Sequence, residues 1–213
     1  MAYNDSMKLI DFVNSMSDVL NIRDFDTADL SLNGLQVGDP DAEIGKVAFS
    51  VDASLATIKE AAKAGADLLF VHHGLFWGRA KAITGTHYDR VKTLLDNNIG
   101  LFACHLPLDA HMKMGNNARM AEKLGMTDVE PFSFYKGVHV GVKGRFPKPM
   151  TAGEIIGRLG IRENATSYII NGGEKTFTTH SYPTEAEAYY TVSDGAQLRL
   201  WSYRPSVTDE FVV

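Results

Sequence analysis

Between residues 7 and 19 the apolar positions Leu9, Ile10, Phe12, Val13, Met16 and Val19 recur three and four apart, the spacing of one helical face. The spacing predicts a helix over Met7–Val19, with Ser6 placed to cap it. The next stretch, "SLNGLQVGDPDAEIG" (31–45), is dense in Gly, Asn, Asp and Pro and reads as loop. Within it "NGLQVG" (33–38) reads either as a tight turn or as part of a site rim.

From Lys46 the period changes. "KVAFSV" (46–51) reads as a short strand, and "DASLATIKEAAKAGA" as a helix with capping chemistry at Asp52 or Ser54 and a stop at Gly65. "DLLFVHH" (67–73) reads as a second, apolar strand that ends in two histidines. The alternation continues with a helix over His87–Asn97, a strand "IGLFACH" (99–105) and a helix "GNNARMAEKLGM" (115–126). Helices between apolar strands favour a parallel sheet covered on both faces. The expected fold class is α/β, a parallel-type sheet with flanking helices. Beyond Pro131 the texture changes: "GVHVGVKGRF" (137–146) alternates like a half-exposed strand, and "TAGEIIGRLGI" (151–161) reads as a short helix begun by Thr151. The expectation is two domains, 1–130 and a smaller 131–213 whose pattern is poorly specified after about residue 174.

Composition narrows the function classes. At 45% hydrophobic and 22% charged residues, the 213-residue chain has the make-up and length to bury a sizeable core. A net charge of −5 carries no basic footprint for nucleic acid. The single cysteine, Cys104, excludes an internal disulfide and a multi-cysteine zinc site, and its place in an apolar strand points it into the core. "MAYNDSMKLIDFVNSM" lacks the basic and continuous apolar segments of a signal peptide, and no window approaches the about 18 apolar residues of a spanning helix. A cytoplasmic protein without a membrane partner is expected.

The chemistry gathers at strand ends. Asp52 follows "VAFSV", His72 and His73 follow "LLFV", and His105 follows "LFAC". In open parallel sheets ligands bind outside the carboxyl ends of the strands, so these residues converge if the strands are neighbours. Asp109 and His111 follow in "HLPLDAH", where Pro107 argues against a regular helix and for a loop. Adjacent imidazoles at a strand end can flank one locus from two sides and hold one ion each. Two-metal sites separate their ions by about 3.5–4 Å, a gap a carboxylate such as Asp109 can bridge. Imidazole and carboxylate together suit Zn, Mn, Fe or Ni. His111 reads as a ligand, a group behind the ligands or an exposed side chain; Asp52 as a helix cap or a group near the site; Asn33 as part of the rim. His87 and His139 read as surface or satisfied core residues.

"SLNGLQVGDP", "FSVDAS", "GADLLFVHHGLFW" and "HLPLDAHMKMGNNARMAEKLGM" together resemble the dinuclear-metal family named after the NGG-interacting factor three, whose members carry the name GTP cyclohydrolase I type 2 homologue. The resemblance runs over roughly residues 7 to 130 and continues more weakly to about 174. It implies a two-domain α/β protein, a homohexameric ring and metal pairs facing its interior. It carries ligand roles onto His72, His73 and Asp109, and places His105 close to the metals. It also implies a metal-dependent hydrolase with two divalent ions, acting on GTP, another nucleotide or a related small molecule. The alternative is a non-enzymatic metal-binding protein that forms rings or binds a partner.

Family members run longer and end on a Gly-His-x-x-Ser/Thr-Glu motif that supplies one more histidine and a glutamate. His180 and Glu185 in "THSYPTE" are candidates for that pair, at a spacing one residue too long. Three readings stay open: a short variant, a site completed by His180 and Glu185, and a change of reading frame after about Lys175, which the abrupt loss of family texture favours.

Overall fold

The computed structural model describes residues 6–148 and 150–159, with four short strands beyond them. In chain order the first elements are β1 (Met7–Lys8), α1 (Leu9–Val19), β2 (Gly34–Val37), β3 (Glu43–Ile44), β4 (Val47–Asp52) and α2 (Leu55–Lys63). They are followed by β5 (Leu68–His73), α3 (Gly85–Asp96), β6 (Gly100–Ala103), α4 (Leu106–Ala110) and α5 (Asn116–Leu124). Then come β7 (Thr127–Tyr135), β8 (Val138–Arg145), β9 (Met150–Thr151) and α6 (Ala152–Leu159). The later strands are β10 (Thr176–Phe177), β11 (Ala188–Thr191), β12 (Gln197–Leu200) and β13 (Phe211–Val212). The chain divides into two units, Met1–Leu108 and Asp109–Val213.

The first unit is built on a four-stranded sheet in the order β2-β6-β5-β4. β4, β5 and β6 run parallel, and β2 closes the far edge antiparallel to β6. The pleat sorts the apolar run of each inner strand onto two dry faces. Leu68, Phe70, Phe102 and Cys104 face α1, where Leu9, Phe12 and Val13 meet them. Leu69, Val71, Leu101 and Ala103 face the opposite way, against Ile58 and Ala61 of α2 and Val91 and Leu94 of α3. This double cover is why β5 and β6 carry continuous apolar runs rather than an alternation. Cys104 is fully buried, as its position in the strand predicts.

The second unit pairs β7 with β8 in an antiparallel hairpin, and β13 lies on the other side of β8. Its turn is Lys136-Gly137, both at positive φ (45° and 97°), the conformation of a two-residue hairpin turn. α5 ends at Gly125, whose left-handed φ of 72° closes it, and packs Ala121 and Leu124 against Val142, Phe146 and Ile155.

Several local expectations need correction. Residues 31–45 are not all loop: β2 and β3 lie inside them, because Leu35 and Val37 find partners on β6 that the turn-rich local sequence does not reveal. α1 starts behind Lys8 rather than being capped by Ser6, because Met7 and Lys8 pair with β3. The stretch after His105 is a short helix, α4, since proline in a first turn removes an N–H that has no helical partner anyway. β7 passes unseen in the sequence because its residues are mostly exposed and Pro131 interrupts them; as an edge strand it tolerates the proline. Among the described residues no helix is long and apolar enough to cross a membrane.

His87 is buried (6% exposed), edge-on to Phe76 at 5.2 Å, and among the described residues neither ring nitrogen has a hydrogen-bond partner. Burial, with the charges of Lys81 and Arg90, holds its pKa below the ordinary histidine value. The unfolded chain therefore binds the proton more readily, and stability present above about pH 6.5 is lost as the pH falls below it. Replacing His87 with Leu is expected to narrow the difference in melting temperature between pH 7.5 and pH 5, measured by circular dichroism. Leu101, fully buried in the α2–α3 face, is expected to cost about 2–5 kcal/mol on replacement by Ala, read from denaturant unfolding of the first unit's signal.

Candidate metal centre

Parallel register brings three strand ends to one rim. β5 pairs with β6 through Val71 opposite Ala103, and with β4 through His73 opposite Asp52. His72 and His73 therefore emerge beside the segment that carries Cys104 and His105. The ring centroids of His72 and His73 are 4.5 Å apart, those of His72 and His105 5.0 Å, and those of His73 and His105 5.6 Å. One ligand atom from each of the three lies within 4.8 Å of the others. All three residues are partly buried, so water and ions reach them.

Each ring is held through Nδ1 by an oxygen. His72 Nδ1 lies 3.0 Å from the Cys104 carbonyl, His73 Nδ1 2.7 Å from Asp52 Oδ1, and His105 Nδ1 3.0 Å from Asp29 Oδ1. A carbonyl or carboxylate can only accept, so these contacts favour the tautomer that carries hydrogen on Nδ1 and its lone pair on Nε2. This is the arrangement by which proteins orient metal-binding imidazoles and raise their basicity. Three such rings fit a divalent transition metal.

Asp29 anchors the third ring, and its side chain is only 2% exposed. It accepts from His105 Nδ1, from Asn33 Nδ2 at 2.9 Å, and from the backbone N–H of Ser31 and of Leu106, each at 2.9 Å. Burial alone pushes such a carboxyl up; the hydrogen bonds from His105, Asn33, Ser31 and Leu106 outweigh it and hold Asp29 well below the usual carboxylate range. Asn33 completes the bracket, its Oδ1 accepting from the His105 backbone N–H at 2.7 Å.

The structure thus brings together His72, His73 and His105, with Asp52 and Asn33 directly behind them. Asp52 is not the helix cap; Ser54 is, accepting from the Thr57 N–H at 3.0 Å. Asp109 and His111 belong to the second unit. There Asp109 accepts from Asn116 Nδ2 at 2.8 Å, and His111 Nδ1 accepts from the Lys113 and Met114 N–H groups, capping the turn that follows α4. His180 and Glu185 lie outside the described residues. The sequence reading missed Asp29 entirely. It sits in "TADLSLN" with no motif around it, and only the pairing of β2 with β6 carries that segment to His105.

Fold and rim define an α/β protein with a candidate metal centre at the carboxyl ends of parallel strands. The chain belongs to the Duf34/NIF3 (NGG1p interacting factor 3) family, whose model matches residues 7–179. Among its relatives, the "GTP cyclohydrolase 1 type 2 homolog" of Deinococcus radiodurans is 50% identical over 131 residues, covering 62% of this chain and 49% of the relative. The protein of the same name in Archaeoglobus fulgidus is 44% identical over 154 residues, covering 72% and 62%. The crystal structure of TTHA1606 from Thermus thermophilus superposes with a TM-score of 0.67 at 35% identity, over 87% of this chain and 69% of that one. Reduced HcgD from Methanocaldococcus jannaschii superposes with a TM-score of 0.64 at 30% identity, over 76% and 63%. The chain spans about half the length of the first curated relatives it matches.

Replacing Asp29 with Asn leaves one acceptor oxygen and turns an amide N–H₂ toward donors. Zinc affinity, measured by calorimetric titration, is expected to fall about 10–100-fold. Because the folded-state pKa of Asp29 is depressed, its stabilisation is present above the unfolded carboxylate value of about 4 and is lost as the pH falls. The stability gap between the two proteins should therefore be widest near pH 7 and narrow progressively as the pH falls below about 4.

Proposed function

We propose that the protein is a metal-dependent hydrolase whose centre is held by the Nε2 atoms of His72, His73 and His105. The observation that carries this reading is the set of three imidazoles within ligand reach of one another, each backed on Nδ1 by an oxygen. A divalent ion bound there supplies Lewis acidity and lowers the pKa of water toward about 7. The chain's own residues do the rest. Asp52 and the Cys104 carbonyl keep His73 and His72 from rotating, while Asp29 and Asn33 fix both ring and backbone of His105. The carboxylates also offset the positive charge an ion brings, which three neutral imidazoles cannot.

The finer reading is dinuclear: His72 and His73 would each hold one of two ions, and Asp109 would serve both, a role that the family resemblance alone assigns to it. Zn, Mn, Fe and Ni all suit these donors. The name of the relatives supports a nucleotide such as GTP as substrate. A second, non-enzymatic reading as a ring-forming protein has one observation in its favour. β4 is an edge strand that leaves Phe49 74% and Val51 61% exposed, an apolar edge suited to self-association.

Elemental analysis of protein purified without added metal tests the proposal. Bound divalent metal that is lost on replacing His72 with Ala, together with loss of nucleotide hydrolysis, is the expected outcome. Hydrolysis that survives the loss of His72 overturns it. Metal that raises the melting temperature with no turnover of any nucleotide supports the ring-forming reading.

A further inference from the structure

The segment after His73 sets a large aromatic side chain beside the cluster and leaves it open to solvent. The Trp77 ring centroid lies 4.9 Å from that of His105 and 6.2 Å from that of His73, and the residue is 38% exposed. Its one polar atom is already used, Nε1–H donating to the Gly74 carbonyl at 3.1 Å. What remains is apolar ring surface beside the imidazoles of His73 and His105. Leu30 and Leu32, 68% and 53% exposed, stand on the segment that runs alongside, where Ser31 bridges Trp77 and the Gly78 N–H donates to the Leu30 carbonyl at 2.6 Å.

An exposed tryptophan on a loose loop carries no information; this one is bolted down. Gln36 of β2 reaches across with both ends of its amide. Its Oε1 accepts from the Leu75 N–H at 2.7 Å and the Phe76 N–H at 3.3 Å. Its Nε2 donates to the Leu32 carbonyl at 2.7 Å and the Phe76 carbonyl at 3.4 Å. The Leu32 N–H adds a bond to the Phe76 carbonyl at 3.0 Å. A Cβ on Gly74 would run into the Gln36 amide and displace it, so glycine leaves room for this approach. Fixing a solvent-open indole this way forgoes the burial that normally rewards a tryptophan, and it preorganises a flat apolar wall next to a metal-ligating cluster.

We propose that Trp77 is the stacking wall for a planar nitrogen heterocycle, such as the purine of a nucleoside, bound at the histidine cluster, and that Gln36 is the residue that positions Trp77. The proposal rests on the metal-centre reading above and deepens it by assigning the part of the ligand that the imidazoles do not contact. Stacking accepts any heterocycle with a π face, so Trp77 selects for a ring and not for one base.

The test uses the full chain with Trp201 replaced by Phe, so that Trp77 is the one tryptophan left. The zinc-loaded protein is titrated with guanosine, and with ribose 5-phosphate as a ligand that has no ring to stack, following tryptophan emission. Guanosine is expected to quench saturably and ribose 5-phosphate not at all. In calorimetry against the otherwise native chain, Trp77→Ala and Gln36→Ala are expected to weaken guanosine binding about tenfold or more, and Trp77→Phe to retain most of it. Zinc affinity in all three variants is expected to stay within about twofold of the parent, since none is a ligand. Equal response to the two probes, no saturable guanosine binding, or zinc affinity falling in step with guanosine affinity in Trp77→Ala would each overturn the proposal. Guanosine stacking without hydrolysis of any nucleotide would uphold it while removing the hydrolase reading, so the two fail separately.

Discussion

Parallel pairing of β5 with β4 and β6 sets the register on which the histidine cluster depends, and the burial of β5 and β6 on both faces holds it. With Val71 opposite Ala103 and Asp52 opposite His73, polar residues at three strand ends reach the rim at one height. Leu68–Val71 is apolar on both faces, so what a shift of one residue on β5 would cost is the burial of a flanking polar group, His72 in place of Val71 or Asp67 in place of Leu68. The polar ends of the run thus set its register. Core packing and site geometry are therefore one constraint.

Above the rim, the cost is electrostatic. Asp29 is a carboxylate taken almost wholly out of water, tolerable only because four donors converge on it. Two of those donors are backbone N–H groups, Ser31 beside Asp29 itself and Leu106 next to His105, which makes the chain path in both segments part of the charge balance. His73 meets the same need differently, with Asp52 at the solvent edge, where water screens the pair. One imidazole is thus held by a buried, fully bonded carboxylate, one by an exposed carboxylate, and one by a neutral carbonyl. A bound ion would feel these as three unequal ligands.

The stretch from residue 29 to 38 shows how a polar, turn-rich segment becomes part of a site. Asp29 and Asn33 bracket His105, Gln36 ties down the loop that carries Trp77, and β2 anchors all of it to the antiparallel edge of the sheet. None of these roles involves a hydrophobic pattern, and each contact spans roughly 40 residues or more of chain. Local sequence carries almost no signal for such bonds. It records turn propensity, which the backbone also satisfies.

What the sequence by itself determined is what periodicity and strand-end chemistry encode. Apolar runs separated by amphipathic helices required an α/β sheet with flanking helices, and the convergence of His72, His73 and His105 was legible because polar residues at the ends of buried strands have nowhere to go but the rim. Glycines and a serine marked where α2 and α5 begin or stop. Tertiary structure alone decided the rest. It made β2 a strand, recruited Asp29, assigned Asp52 to His73 instead of to a helix end, and let Pro107 open α4. The physical reason is common to all four: each outcome turns on a hydrogen-bond partner supplied by a different element, and a partner distant along the chain leaves no trace in the local pattern.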